Sequence, residues 1–184
     1  MSESPTLPTS SRSTRPDHIG ANPSQIIGKV VTHFRKSPTH PSVAIHFADG
    51  TCAQIRVDGY DPQYPGIPKA LETDSYIQEL FASPKAIDLK ILDCAFITLS
   101  DKAFEKRKRG NTEPLSQTWD HHHQALVFKF ANTNESPVKW HCIWASLQER
   151  DDTTGDCVFR SYEDVYLELH SRKKSKAKRQ SRLR

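Results

Sequence analysis

Three consecutive histidines, His121-His122-His123, follow Trp119-Asp120 and are the densest set of metal-capable side chains in the sequence. In an extended backbone successive side chains alternate, so His121 and His123 share one face, as two ligands of a metal site would. A third ligand is needed, and His141 in the next apolar run is the obvious candidate. Aligning the bulkiest faces of the two runs pairs Phe130 with Trp140, Phe128 with Cys142 and Leu126 with Trp144. That register sets His141 opposite Lys129, six residues along the strand from His123. At about 3.3 Å per residue the separation is ~20 Å, too far for a shared ion. The histidines are therefore expected at a polar strand entrance, with no metal and no cofactor.

Other chemistries have even less to work with. No Gly-x-Ser-x-Gly elbow is present, and seven glycines include no phosphate-cradling loop. His141 and Cys142 are neighbours whose side chains point to opposite faces of a strand, so they cannot act as a pair. The acidic pairs Asp58/Asp61 and Asp151/Asp152 sit in turns, where aspartate serves the backbone. The stretch DGYDPQYPGIPKALE, with Asp58, Tyr60, Asp61 and Tyr64, is expected to lack regular structure and has the composition of a recognition loop or of an ordered connection. An enzyme or metal-binding protein built around His121 and His123 is the third-ranked reading.

The basic segments are more telling. Between Arg172 and Arg184 eight of thirteen residues are basic (Arg172, Lys173, Lys174, Lys176, Lys178, Arg179, Arg182 and Arg184) and none is acidic. Removing those eight from 26 basic residues leaves 18 against 22 acidic ones, so the formal +4 conceals a body of net −4. Such a tail stays solvated and suits an anionic partner, either an import receptor or nucleic acid. A second cluster, Lys106, Arg107, Lys108 and Arg109, has the same character. An acidic body argues for import over a grip on a phosphate backbone.

The elements that must position these residues begin with Val43 to Tyr60. Two alternating runs flank Asp49-Gly50, a strong hairpin signal. A three-residue loop, Ala48-Asp49-Gly50, sets Phe47 opposite Thr51, Ile45 opposite Ala53 and Val43 opposite Ile55. It keeps one face apolar and puts Gly50 where a left-handed residue is needed. Residues 1–23, rich in Ser, Thr and Pro, are expected to be disordered. From Ser24, Ile26, Ile27, Val30, Val31 and Phe34 recur at helical spacing and predict a helix ending before Pro38. A second helix is expected in DSYIQELFASP. A strand from Ala86 to Leu99 changes phase midway, as a bulge or a central strand covered on both sides would cause.

Residues 100–118 read as a mobile excursion. Two strands, Gln124–Ala131 and Val138–Gln148, follow around NTNESP, then a short one at Cys157–Arg160. Ser161 to Asp164 resembles a capping box, predicting a last helix through Leu169. Cys52, Cys94, Cys142 and Cys157 read as small buried hydrophobes.

Together these signals predict an α+β domain over residues 24–170. One antiparallel or mixed sheet of five to six strands carries about three packed helices, and a disordered basic tail follows over 171–184. No apolar run reaches the ~20 residues of a membrane span, and no secretory signal is visible, so the chain is read as intracellular and directed to the nucleus. The leading functional reading is a non-enzymatic interaction domain with an unidentified protein partner. The runner-up is a nucleic-acid-associated protein using the tail and the 106–109 cluster.

Overall fold

Gly28, at φ +85°, turns the chain from a short 3₁₀ turn at Pro23–Ile26 into a strand. The computed structural model describes residues 20–83, 85–108, 114–131 and 138–170, with the backbone alone at 107, 108, 114 and 115. The expected first helix is not formed; strand β1 occupies Val30–Lys36. Val30, Val31 and Thr32 are β-branched and favour extended backbone. The helix-like spacing has a definite origin. Pairing of β1 with β2 (Ser42–Phe47) slips between Val31 and His33, a bulge that brings both Val31 and Phe34 inward. A bulged strand thereby imitates an i, i+3 repeat.

The hairpin is formed in the expected register. β2 pairs with β3 (Cys52–Val57) through Val43↔Ile55 and Ile45↔Ala53, and the Phe47 N–H donates to Thr51 O at 3.1 Å. Gly50 has φ +78°. Val43, Ile45, Phe47, Ala53, Ile55 and Val57 are all buried. Lys29 ties the turn down, bonding Asp49 and, at 3.0 Å, Thr51 Oγ1. The lysine and Thr51 hold the Asp49 carboxyl far below its usual range.

The remaining elements are β4 (Lys69–Thr73), α1 (Ser75–Ala82), β5 (Leu89–Lys108), β6 (Pro114–Phe130), β7 (Trp140–Arg150), β8 (Cys157–Glu163) and β9 (Val165–His170). The α+β architecture is thus overturned: the described residues form a mostly β fold of nine antiparallel strands with one α-helix. The order is β4-β7-β6-β5-β1-β2-β3-β9, with β8 pairing both β5 and β7. β8 and β9 are separated only by Asp164, so the sheet curls until its β9 end runs directly into β8 beside β7. Curling shelters edges that would otherwise be open to pairing.

The sequence expectations fail where strands imitate other structures. β5 and β6 run through the residues read as an excursion, pairing from Ile91↔Phe130 to Lys108↔Pro114. The phase change in β5 is a bulge, between Ile91 and Asp93. The last helix is two strands. Val165 and Leu167 alternate inward against β3, in the pairs Val57↔Val165 and Ile55↔Leu167. Asp164, where the capping box would end, instead accepts the Gln124 N–H at 2.8 Å. The NTNESP connection lies outside the described residues.

α1 does form. Asp74 caps it by accepting the Ile77 N–H at 3.0 Å, and Ile77 is fully buried. Phe34, from the misread segment, is the aromatic hub, with edge-on contacts to Phe81, Phe128 and Phe130 at 6.2 Å each.

Candidate functional site

Alternation along β6 turns Leu126, Phe128 and Phe130 into the main core, while His121 and His123 lie on the opposite face. His123 is 2% exposed. Its Nε2 meets Asp101 Oδ2 at 2.9 Å, and its ring stacks on Tyr162 at 4.6 Å. Nδ1 is buried with no hydrogen-bond partner among the described residues. His121 Nδ1 lies 2.9 Å from Ser161 Oγ, and the two histidine rings are 6.4 Å apart. The structure therefore brings His121 and His123 together as the alternation requires. His122 is exposed.

This arrangement does not assemble a nucleophile. In a serine–histidine–acid relay the carboxylate orients the histidine that contacts the serine. Here Asp101 bonds His123, whereas Ser161 bonds His121. No group of three or more His, Cys, Asp or Glu side chains able to hold a metal occurs among the described residues.

His141 is elsewhere, but not where the sequence register put it. The pairs are Phe128↔His141 and Lys129↔Trp140, one residue away from the expected alignment. The inward face of β7 is His141, Ile143, Ala145 and Leu147, and the bulky Trp140 and Trp144 take the other face. Bulk misled because Trp144 is held by a polar partner: its indole donates to Glu72 Oε2 at 2.9 Å. His141 Nδ1 sits 3.1 Å from Asp74 Oδ2, and its ring stacks on Tyr76 at 4.1 Å. It serves the helix cap.

Glu72 is the centre of the densest polar network among the described residues. Its carboxylate accepts from Trp144, Ser146 Oγ at 2.8 Å, Gln148 Nε2 at 2.7 Å and Arg160 Nη2 at 2.7 Å. Burial alone would raise the carboxyl, but Arg160, Ser146 and Trp144 outweigh it and hold it below its ordinary value. Arg160 Nε also donates to the Tyr162 hydroxyl at 3.1 Å. Contacts thus run unbroken from Glu72 through Arg160, Tyr162 and His123 to Asp101. Sequence reading missed Glu72, Asp101 and Tyr162 because each was placed in a segment of the wrong type, and Arg160, though placed in a strand, because its partner Glu72 is distant in sequence.

The basic cluster occupies the far end of the β5–β6 ribbon. Lys106 pairs with Ser116, Arg107 with Leu115 and Lys108 with Pro114. Lys106 is exposed, its ammonium 5.2 Å from the Phe104 ring centre. Residues 116–120 on the facing strand are also exposed, and Lys102 pairs with Asp120 at 2.5 Å. Arg109 lies outside the described residues, as do Arg172, Lys173, Lys174, Lys176, Lys178, Arg179, Arg182 and Arg184.

Of the four residues in the 58–64 loop, Asp61 serves the backbone with its side chain and Asp58 joins the loop to Asp164 through its main chain. The Asp58 N–H donates to Asp164 O at 2.9 Å, and Asp61 Oδ1 accepts the Gln63 N–H at 2.8 Å. Tyr64 is 79% exposed. Tyr60 packs partly against the core and bonds His40 Nδ1 through its hydroxyl at 2.9 Å.

The four cysteines are free thiols. Burial pushes Cys94 up to about 12 and Cys142 up to about 11. No helix among the described residues is long and apolar enough to cross a membrane. No family model, no curated protein and no solved structure matches this chain.

Proposed function

We propose that this protein is a non-enzymatic interaction module that presents a basic β-ribbon to an anionic partner and carries a nuclear-targeting tail at Arg172–Arg184. The observation that carries the reading is the ladder from Ile91↔Phe130 to Lys108↔Pro114. It places Lys106, Arg107 and Lys108 on its last three pairs, a short two-stranded arm beyond the point where β8 pairs with Phe104 and Glu105. Positive charge on such an arm steers association with an acidic surface and makes it salt-dependent. The tail adds eight charges that an import receptor can read.

A second reading follows from the shape of the arm. A two-stranded ribbon fits the major groove of duplex DNA. The net −4 of the chain without its tail weighs against this, since backbone-binding domains present net positive charge.

Two measurements test the pair. Removing residues 172–184 is expected to shift a fluorescently tagged chain from nucleus to cytoplasm. Unchanged location would remove the import role. Reversing the charges of Lys106, Arg107 and Lys108 is expected to abolish capture of the partner while leaving the unfolding midpoint unchanged. For direct DNA binding, log K against log salt should fall with a slope near about −7 for eight phosphate contacts. A flat salt response eliminates the second reading.

A further inference from the structure

The outer face of β5, β6 and β7, turned away from the main core, leaves three large apolar side chains in solvent. Cross-strand pairing lays this face out in rows, Asp93↔Lys129↔Trp140, Ala95↔Val127↔Cys142 and Ile97↔Ala125. Trp140 is 46% exposed and Ile97 38%; Leu92, in the β5 bulge beside Asp93, is 44% exposed. Single exposed apolar residues carry no meaning, but a group of them on one sheet face marks an interaction surface. The charges on the same face are unsettled. Asp93 and Lys129 stand opposite each other, yet neither belongs to an ion pair among the described residues. Lys129 instead leans over Trp140, its ammonium 5.7 Å from the ring centre, and Asp93 Oδ1 accepts the Cys94 N–H at 2.8 Å.

We propose that a second copy of this chain covers this face, forming a two-fold dimer. A two-fold presents the same patch twice, so Lys129 of each protomer meets Asp93 of the other and both charges are satisfied across the contact. Trp140, flanked by Leu92 and Ile97, is the apolar anchor. With one cation beside one anion, the rows carry no net charge. Neither the basic tail nor the anionic partner of the ribbon is drawn there by charge, whereas an identical copy is matched to it. Three strands across and running from Leu92 to Ile97, the patch covers roughly 300 Å² at ~4.8 Å between strands and ~3.3 Å per residue. That is below the ~800 Å² each partner contributes to a standard interface, so the dimer forms reversibly as concentration rises.

Sedimentation velocity of the full chain, from micromolar to millimolar concentration, tests this. The sedimentation coefficient should climb from the monomer value towards the dimer value. Trp140→Ala should weaken association at least tenfold with the melting midpoint unchanged; Leu92→Ser, also exposed, repeats the check should Trp140→Ala lower that midpoint. Lys129→Asp and Asp93→Lys should each stay monomeric alone, because each sets like charges against one another. Mixed in equal amounts they should associate, since each new charge then meets its opposite on the other chain. The proposal is overturned if the parent chain stays monomeric throughout, if Trp140→Ala and Leu92→Ser associate as well as the parent, or if the mixture remains monomeric. Loss of association on removing residues 172–184 would assign the contact to the tail and overturn it as well.

Discussion

Arg160 on β8 donates to Glu72 on β4 at 2.7 Å, joining two strands that flank β7 on opposite edges. The bond crosses a strand with which each partner also pairs. Ser146 and Gln148 of that intervening strand bind the same carboxylate, so three strands share one anion.

Glu72→Ala leaves Arg160 without its carboxylate and strands three further donors. With side chains about a quarter exposed, the loss should be about 2–4 kcal/mol, read from denaturant unfolding. The pH dependence has a definite sign. Because the folded state holds Glu72 below 4.5, its contribution is fully present above that value and is lost as pH falls through the folded pKa. Glu163, which burial raises, works in the opposite direction, its protonation favouring the fold as pH falls. Comparing Glu72→Gln with the parent from pH 7 to pH 3 isolates the first effect. The variant should lose less stability on acidification, and parallel curves would contradict the network's role.

Phe47→Ala tests the hairpin register. Phe47 is 4% exposed in the core, and truncation should cost about 3–5 kcal/mol. A loss below about 1 kcal/mol would place the side chain outside the core.

Gly28→Ala distinguishes the two readings of the first element by sign. In a helix the change would stabilise by about 1 kcal/mol. At φ +85° an alanine is strained although nothing crowds its Cβ, so a destabilisation of about 1 kcal/mol is expected. Unfolding midpoints of the two proteins decide between them.

Added zinc or a chelator should leave the melting temperature unchanged, because His121 and His123 are engaged by Ser161 and Asp101 rather than converging on a third ligand. A chelator-induced fall of several degrees would reinstate the metal reading.

Cys94 should resist a thiol reagent at pH 8 in the folded protein and react on unfolding, since burial raises its thiol to about 12. Labelling followed by peptide mapping reads this directly.

The Asp49-Gly50 hairpin, its six-residue inward face, helix α1 and the phase change in β5 were determined by the sequence itself. Each rests on short-range chemistry: a turn residue with positive φ, period-2 alternation, an aspartate cap followed by apolar residues. The sharing of one face by His121 and His123 was legible for the same reason. Only the tertiary structure decided that Val30–Lys36 and Ser161–Leu169 are extended. Their i, i+3 spacing comes from a bulge at Val31–His33 in one case and from a two-strand junction at Asp164 in the other. Local periodicity cannot separate these from a helical turn. The partners of the histidine face were equally hidden, since Asp101 lay in a supposed linker and Tyr162 in a supposed helix. The register of β7 turned on Glu72, more than seventy residues away in sequence from Ser146, whose hydroxyl it binds. A carboxylate that satisfies an indole, a hydroxyl, an amide and a guanidinium at once reverses the face that side-chain bulk alone would bury.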